Sequence, residues 1–315
     1  MGCSNIAHAF ASCDKAQQDQ GANGGTVIGI VSAYNDMLSA HAPLKDYPDV
    51  IKNSSKKRNA IARVAGGVPA MCDGITQGEP GMELSLFSRD VIALSTAVAF
   101  SHNVFDAGIC LGVCDKIVPG LVMGALSFGH LPIAMLPAGP MPTGISNDEK
   151  SANRKKYASG EIDRSALISS EQAAYHTSGT CTFYGTANSN QMLMEIMGLH
   201  LPGSSFVSPN SRLREELNKE AFRVVKNNAS SQVGLLKDII SEKTIVNGLV
   251  GLLATGGSTN LTLHVVAIAA AAGIKLLWED FEDLSKIIPL LAKVYPNGSA
   301  DINQFHAAGG MSFII

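Results

Sequence analysis

"DAGICLGVCDKIVPGLVMG", residues 106–124, is the segment from which the architecture is most directly read. Its first part, 106–113, is a short apolar run suited to a strand buried on both faces of a parallel sheet. The run breaks into Cys114, Asp115 and Lys116, and Pro119 and Gly120 follow. The chain therefore leaves the carboxyl end of a buried strand through a reactive turn and enters a helix around 120–128. A thiol, a carboxylate and an amine are set side by side where an apolar element stops.

Two further strands are read outward from this one. "TVIGIVSA" (26–33) is β-branched and apolar and stops at the polar "YNDM"; "LPIAMLPAGPM" (131–141) ends in a Pro/Gly loop. Between the first two strands, "PLKDYPDVIKNSSKKRNAIARV" (43–64) reads as a surface helix interrupted at Pro48. "GGVPAMCDGITQGEPGM" (66–82) carries five glycines and two prolines, which predicts an irregular loop, and "ELSLFSRDVIALSTAVAF" (83–100) predicts a helix. Strand, loop, helix and strand again is the rhythm of a parallel sheet, so the expected fold is a three-layer α/β/α domain with a mainly parallel sheet.

From residue 170 the pattern turns helical, through "SSEQAAYH", "ANSNQMLMEIMGL", "SRLREELNKEAFRVVKNN" and "EDFEDLSKIIPLLAKVY". A second Gly-rich loop, "ATGGSTN", opens the apolar helix "LTLHVVAIAAAA" (261–272). The polar stretch 147–166 is expected to be a solvated surface helix or excursion, and residues 1–315 are read as one domain. In sheets of this kind ligands gather at the carboxyl ends of the strands, where "YNDM", "CDK" and "PAGPM" all fall.

Composition excludes several classes. With 46% hydrophobic and 16% charged residues the chain is globular. A net charge of −3 argues against a nucleic-acid partner, which would demand a clustered basic surface. The apolar stretch 91–113 is interrupted by His102, Asn103 and Asp106, so no membrane span is expected. "MGCSNIAHAF" has no secretory n-region, and Ile6 breaks the myristoylation pattern. These features predict a cytoplasmic protein. Six cysteines with no CxxC pair point neither to a disulfide framework nor to a zinc finger.

Three segments carry candidate chemistry. A thiolate at Cys114 suits iron, whereas the hard oxygens of Asp115 suit magnesium. Taken alone, the triplet has a commoner origin as a buried structural thiol beside an ordinary ion pair. "MCDG" sets Asp73 beside Cys72 among glycines that admit close backbone approach, although for a single Asp taken alone an Asx-turn is the commoner explanation. "GTCTFYGTANSNQM" sets Cys181 before a helix. "ATGGSTN" resembles a phosphate loop only loosely, lacking the lysine and the spacing. Lone histidines such as His41, His130 and His264 read as core or surface groups.

Taken together, these segments resemble the dihydroxy-acid and phosphogluconate dehydratase family. The family pattern C-D-K-x-x-P-[GA]-x-x-x-[GA] is matched throughout by "CDKIVPGLVMG" (114–124). The likeness to the phosphogluconate branch runs through "SAYNDMLSAH", "VAGGVPAMCDGITQG", "MELSLFSRDVIA", "GTCTFYGTANSNQM", "LLATGGSTN" and "YPNGSADIN". It implies a hydro-lyase of the Entner–Doudoroff pathway that dehydrates 6-phosphogluconate, a phosphorylated sugar acid. The cofactors implied are an iron–sulfur cluster, 4Fe–4S rather than 2Fe–2S, and Mg2+.

Carried over by position, Cys114 and Cys181 would be cluster ligands, and Asp73 and Asp115 magnesium ligands. Lys116 would be a catalytic lysine that is carbamylated in related sugar-acid dehydratases and completes the metal site. For the third cluster ligand the choice lies between Cys72 and Cys3, Cys72 being preferred for its place beside Asp73. Ser204, Ser205 and Lys56 are candidates for the phosphate. The resemblance further implies a homodimer and a C-terminal β-rich domain absent from these 315 residues. The chain alone is therefore expected to be inactive.

Overall fold

Four parallel strands, β1 (Val27–Ser32), β2 (Ile61–Gly67), β3 (Ala107–Leu111) and β4 (Ile133–Leu136), make one sheet in the order β2-β1-β3-β4 in this computed structural model, which describes residues 2–315. All six residues of β1 and all five of β3 are buried. Their unbroken apolar runs follow from helices covering both faces. The register sets Ile30 beside Ile109 and Cys110 beside Met135.

On one face lie the helices Ser88–Phe100 and Ile117–Leu126, and on the other Tyr47–Lys56 and Arg212–Ser231. The three layers expected from the sequence are therefore present. The first two helices cross closely at Gly120 and Gly124. A Cβ at Gly120 would lie 2.7 Å from the carbonyl oxygen of Arg89, and one at Gly124 would overlap the carbonyl of Ala93. The later helix Thr186–Ile196 packs on both Glu242–Thr255 and Asn260–Ala271, and Asn260–Ala271 docks on Ile117–Leu126. The helical second half is thereby brought over the carboxyl end of β3.

Three expectations are corrected. Residues 43–64 are not one interrupted helix: Pro48 sits in the first turn of Tyr47–Lys56, where its missing N–H has no role, and Ile61–Val64 belong to β2. The 66–82 segment is not wholly irregular, because β2 reaches Gly67 and short helices form over Asp73–Thr76 and Pro80–Leu84. In 279–295 the helix is Trp278–Ser285 only; Pro289 has no N–H to continue it. The 147–166 excursion forms the helices Asn147–Ala158 and Arg164–Ala174, which bury none of their residues and are joined by an Arg154–Glu171 ion pair at 2.5 Å. Among the described residues no helix is long and apolar enough to cross a membrane.

Candidate active site

The turn after β3 is held in an unusual backbone conformation. Cys114 has φ +73°, the left-handed region that a non-glycine residue enters at a cost of about 1–2 kcal/mol. The carbonyls on each side are clamped. The His41 Nε2 lies 3.2 Å from the oxygen of Val113, and the Asn190 amide donates to the carbonyls of Cys114 (3.2 Å) and Asp115 (2.9 Å). Three hydrogen bonds, each worth roughly 1 kcal/mol, offset the strain and fix where the next two side chains point.

Lys116 is 3% exposed and its ammonium is shared by two carboxylates, Asp73 at 2.5 Å and Asp115 at 3.0 Å. Asp73 opens the short helix after β2 and also accepts a hydrogen bond from the Ser85 hydroxyl at 2.6 Å. Asp115 Oδ1 accepts from the Asn260 amide at 2.8 Å and faces His264 Nε2 at 3.2 Å. The Nδ1 of His264 lies 3.3 Å from a guanidinium nitrogen of Arg89. Burial alone would raise the Asp115 carboxyl, but the His264 hydrogen bond and the Lys116 ammonium outweigh it and hold the group below its ordinary range.

The thiols of Cys72, Cys114 and Cys181 converge on the same region. Burial pushes the Cys114 thiol well up; negative charge at Cys72, Cys181 and Asp115 adds to the rise, and Lys116 only partly opposes it. Cys181 is raised by burial and then by Cys72. A thiolate at Cys114 or Cys181 is therefore disfavoured unless a cation is bound beside it. Among the described residues no three His, Cys, Asp or Glu side chains form a ready-made metal cage. What the fold supplies is a soft set of three thiols and a hard set of two carboxylates with an ammonium between them. Cys3 lies exposed on the helix Cys3–Phe10, Cys13 follows that helix, and Cys110 is buried within β3.

The donor chemistry of both sets fits metals. Three thiols match the soft preference of iron, and two carboxylates already sharing one cation match a hard dication. A cleft of about 470 Å3 lies elsewhere, lined by His8, Arg63, His102 and Phe105 among others, and contains none of these residues.

Ser85, Arg89, Asn190, Asn260 and His264 were not reached from the sequence. The one usable signal was the spacing of Asn260 and His264, four residues apart and therefore on one helix face, behind the "ATGGSTN" loop. His264 is a site residue and not an isolated core group. The phosphate candidates are also corrected. Ser204 and Ser205 are buried in a network with Gln191, Glu195, His200 and Arg214. Lys56 ends its helix just before β2 begins, at the opposite end of the sheet from the site.

The model of the dihydroxy-acid/6-phosphogluconate dehydratase N-terminal domain matches residues 26–315. The phosphogluconate dehydratase of Pseudomonas aeruginosa is 59% identical over 318 residues, covering 100% of this chain and 52% of the relative. That of Escherichia coli is 56% identical over 321 residues, covering 100% of this chain and 53% of the relative. The dihydroxy-acid dehydratase of Akkermansia muciniphila is 34% identical over 295 residues, covering 91% of this chain and 52% of the relative. The chain thus spans about half the length of the curated relatives it matches. Its reactive turn after β3, and the domain match over residues 26–315, place the chain in the dihydroxy-acid/6-phosphogluconate dehydratase family, with the family's N-terminal domain.

Proposed function

We propose that this chain is the metal-holding half of a hydro-lyase converting 6-phospho-D-gluconate to 2-keto-3-deoxy-6-phosphogluconate. The observation that carries the reading is the Cys114–Asp115–Lys116 turn, joined by Asp73 and bordered by Cys72 and Cys181, in a chain 59% identical to a protein named phosphogluconate dehydratase. The lower identity, 34%, to a dihydroxy-acid dehydratase favours the phosphorylated sugar acid over a branched dihydroxy acid.

The reaction removes the C2 proton and the C3 hydroxide, which together leave as water, and the resulting enol becomes the 2-ketone. The demands are a weakly acidic C–H and a poor leaving group. When bound, a 4Fe–4S cluster and Mg2+ supply Lewis acidity toward the departing oxygen and counter-charge for the enolate. Cys72, Cys114 and Cys181 are the residues to hold the cluster, and Asp73 and Asp115, with Lys116, to hold the magnesium. The left-handed turn at Cys114 presents a soft and a hard donor from adjacent residues, so one small substrate can meet both metals. Lys116 bridges the two carboxylates from a buried position. Its carbamylation, implied by the likeness to sugar-acid dehydratases, would replace a cation there by an anionic ligand.

We read the complete protein as a cytoplasmic homodimer whose partner is a small phosphorylated acid, without nucleic-acid or membrane partners. In this reading the family's C-terminal domain supplies the base at C2, so the 315-residue chain alone is inactive. The test is a substrate panel on the complete, anaerobically reconstituted protein: 6-phosphogluconate, gluconate and a branched dihydroxy acid. Turnover of 6-phosphogluconate that Cys114→Ser abolishes is expected. Preference for either unphosphorylated acid would overturn the substrate, and turnover by the 315-residue chain alone would overturn its inactivity.

A further inference from the structure

We propose that His264 is a positioning residue for Asp115, held by Arg89 in the tautomer that carries its proton on Nε2. The inference rests on the reading of Asp115 as a metal ligand and adds to it a named orienting pair.

The argument is one of donors and acceptors. His264 is fully buried, with Nδ1 3.3 Å from Arg89 Nη1 and Nε2 3.2 Å from Asp115 Oδ1. A guanidinium has only N–H donors, so the Nδ1 facing it must offer its lone pair. The ring proton then sits on Nε2 and is directed at the carboxylate. Oδ1 of Asp115 receives this N–H together with the Asn260 amide at 2.8 Å. Oδ2 is left to Lys116 at 3.0 Å, the ammonium that it shares with Asp73. Two donors on one oxygen fix the carboxylate plane and turn the other oxygen toward the cation.

Arg89 is itself set by packing. Its backbone carbonyl lies where a Cβ on Gly120 would come within 2.7 Å, so the helix carrying Arg89 is seated directly on the helix that follows Lys116. Three helices, Ser88–Phe100, Ile117–Leu126 and Asn260–Ala271, thereby define one short chain of contacts from Arg89 through His264 to Asp115. His264 has both ring nitrogens engaged and no exposed surface, so it acts through Asp115 and does not meet substrate. Partners that orient metal ligands typically change metal affinity by about 10–100-fold when removed.

The test uses the 315-residue chain with 15N-labelled histidine and Mn2+ as the probe. Nitrogen NMR should show His264 Nε2 as a protonated, pyrrole-type nitrogen and Nδ1 as pyridine-type, and Arg89→Met should perturb that pattern. Mn2+ binding followed by electron paramagnetic resonance should weaken roughly 10–100-fold in His264→Leu. His264→Gln, whose amide offers one acceptor and one donor, should stay within about threefold of wild type. If His264→Leu does not fold, Arg89→Met is titrated in its place and should weaken binding severalfold.

An unprotonated Nε2 in the wild type would overturn the proposal. Tight Mn2+ binding unaffected by His264→Leu, or by Arg89→Met, would overturn it while leaving Asp115 a ligand. A wild-type chain that binds no Mn2+ would overturn the ligand reading of Asp73 and Asp115, and this inference with it.

Discussion

Replacing Lys116 by methionine tests whether the hard half of the site is built around a cation. The ammonium is 3% exposed and holds together two carboxylates whose side chains keep 31% (Asp73) and 19% (Asp115) exposure. Methionine keeps most of the volume and removes the charge. Breaking a buried ion pair by deleting one partner costs about 3–5 kcal/mol. Because both carboxylates retain some water, the lower end applies, about 3 kcal/mol at pH 7, or roughly two decades in the unfolding equilibrium constant. For a domain of 315 residues that corresponds to a fall in Tm of about 4–5 °C.

The pH dependence carries the more specific signature. Against the pull of its burial, Asp115 is held below its ordinary range by His264 and Lys116. It therefore contributes stability that is present above the ordinary carboxyl value near ~3.9 and lost as pH falls through the lowered one. In Lys116→Met two carboxylates face each other without a counter-ion, and repulsion raises one of them. A raised folded-state carboxyl gains relative stability as pH falls. The gap between wild type and variant must therefore narrow from pH 7 to pH 5. Urea denaturation followed by circular dichroism in bicarbonate-free buffer reads both midpoints. Equal stability at pH 7, or a gap that widens on acidification, refutes the reasoning.

The thiols, the buried histidines and the close helix crossing give further outcomes. After anaerobic reconstitution, Cys72→Ser, Cys114→Ser and Cys181→Ser should each lose iron and acid-labile sulfide, while Cys3→Ser and Cys110→Ser retain both; unchanged iron in Cys72→Ser removes it from the ligand set. Burial lowers His41 to about 4 and His200 to about 3, so unfolding takes up protons and stability is lost as pH falls below ~6.5. At pH 5 each should have lost about 2 kcal/mol, and His200→Gln should flatten the pH profile by about half; a profile unchanged by the substitution contradicts the assignment. Gly124→Val should cost about 3 kcal/mol or more through a clash with the carbonyl of Ala93, visible as a lowered Tm.

Strands buried on both faces were legible because each is an unbroken apolar run; β1 and β3 fall within a residue or two of their sequence reading. The edge strand β2 was not. It follows a Lys-rich helix end, leaves Val64 47% exposed, and carries Arg63, which reaches out to the Ser12 hydroxyl at 2.8 Å. With one edge unpaired it lacks the continuous apolar signal. The helix Glu242–Thr255 was obscured by Gly248 and Gly251, which lower helix propensity. They serve packing instead, since a Cβ at Gly248 would come within 2.5 Å of Leu193 and one at Gly251 would overlap Ile196. At the site, adjacency in sequence made Cys114, Asp115 and Lys116 visible. Arg89 and His264 stand 175 positions apart and meet only because three helices pack together, which no local pattern encodes.

The family pattern around Cys114 can now be read as chemistry and packing combined. Its first three positions supply the thiol, the carboxylate and the ammonium. Pro119 falls in the first turn of Ile117–Leu126, where a missing N–H costs no helical hydrogen bond. The two small positions, Gly120 and Gly124, are four apart on one helix face, and against them lie the carbonyls of Arg89 and Ala93. Neither glycine is a candidate ligand, yet Gly120 sets the depth at which the helix bearing Arg89 rests. That depth determines whether the guanidinium reaches His264, and hence which oxygen Asp115 turns toward the cation. A larger residue at Gly120 should therefore act at the metal site before it unfolds the domain. The spacing of the pattern is fixed by the helical repeat that brings its small face under Arg89, just as its opening residues are fixed by the metals they are proposed to hold.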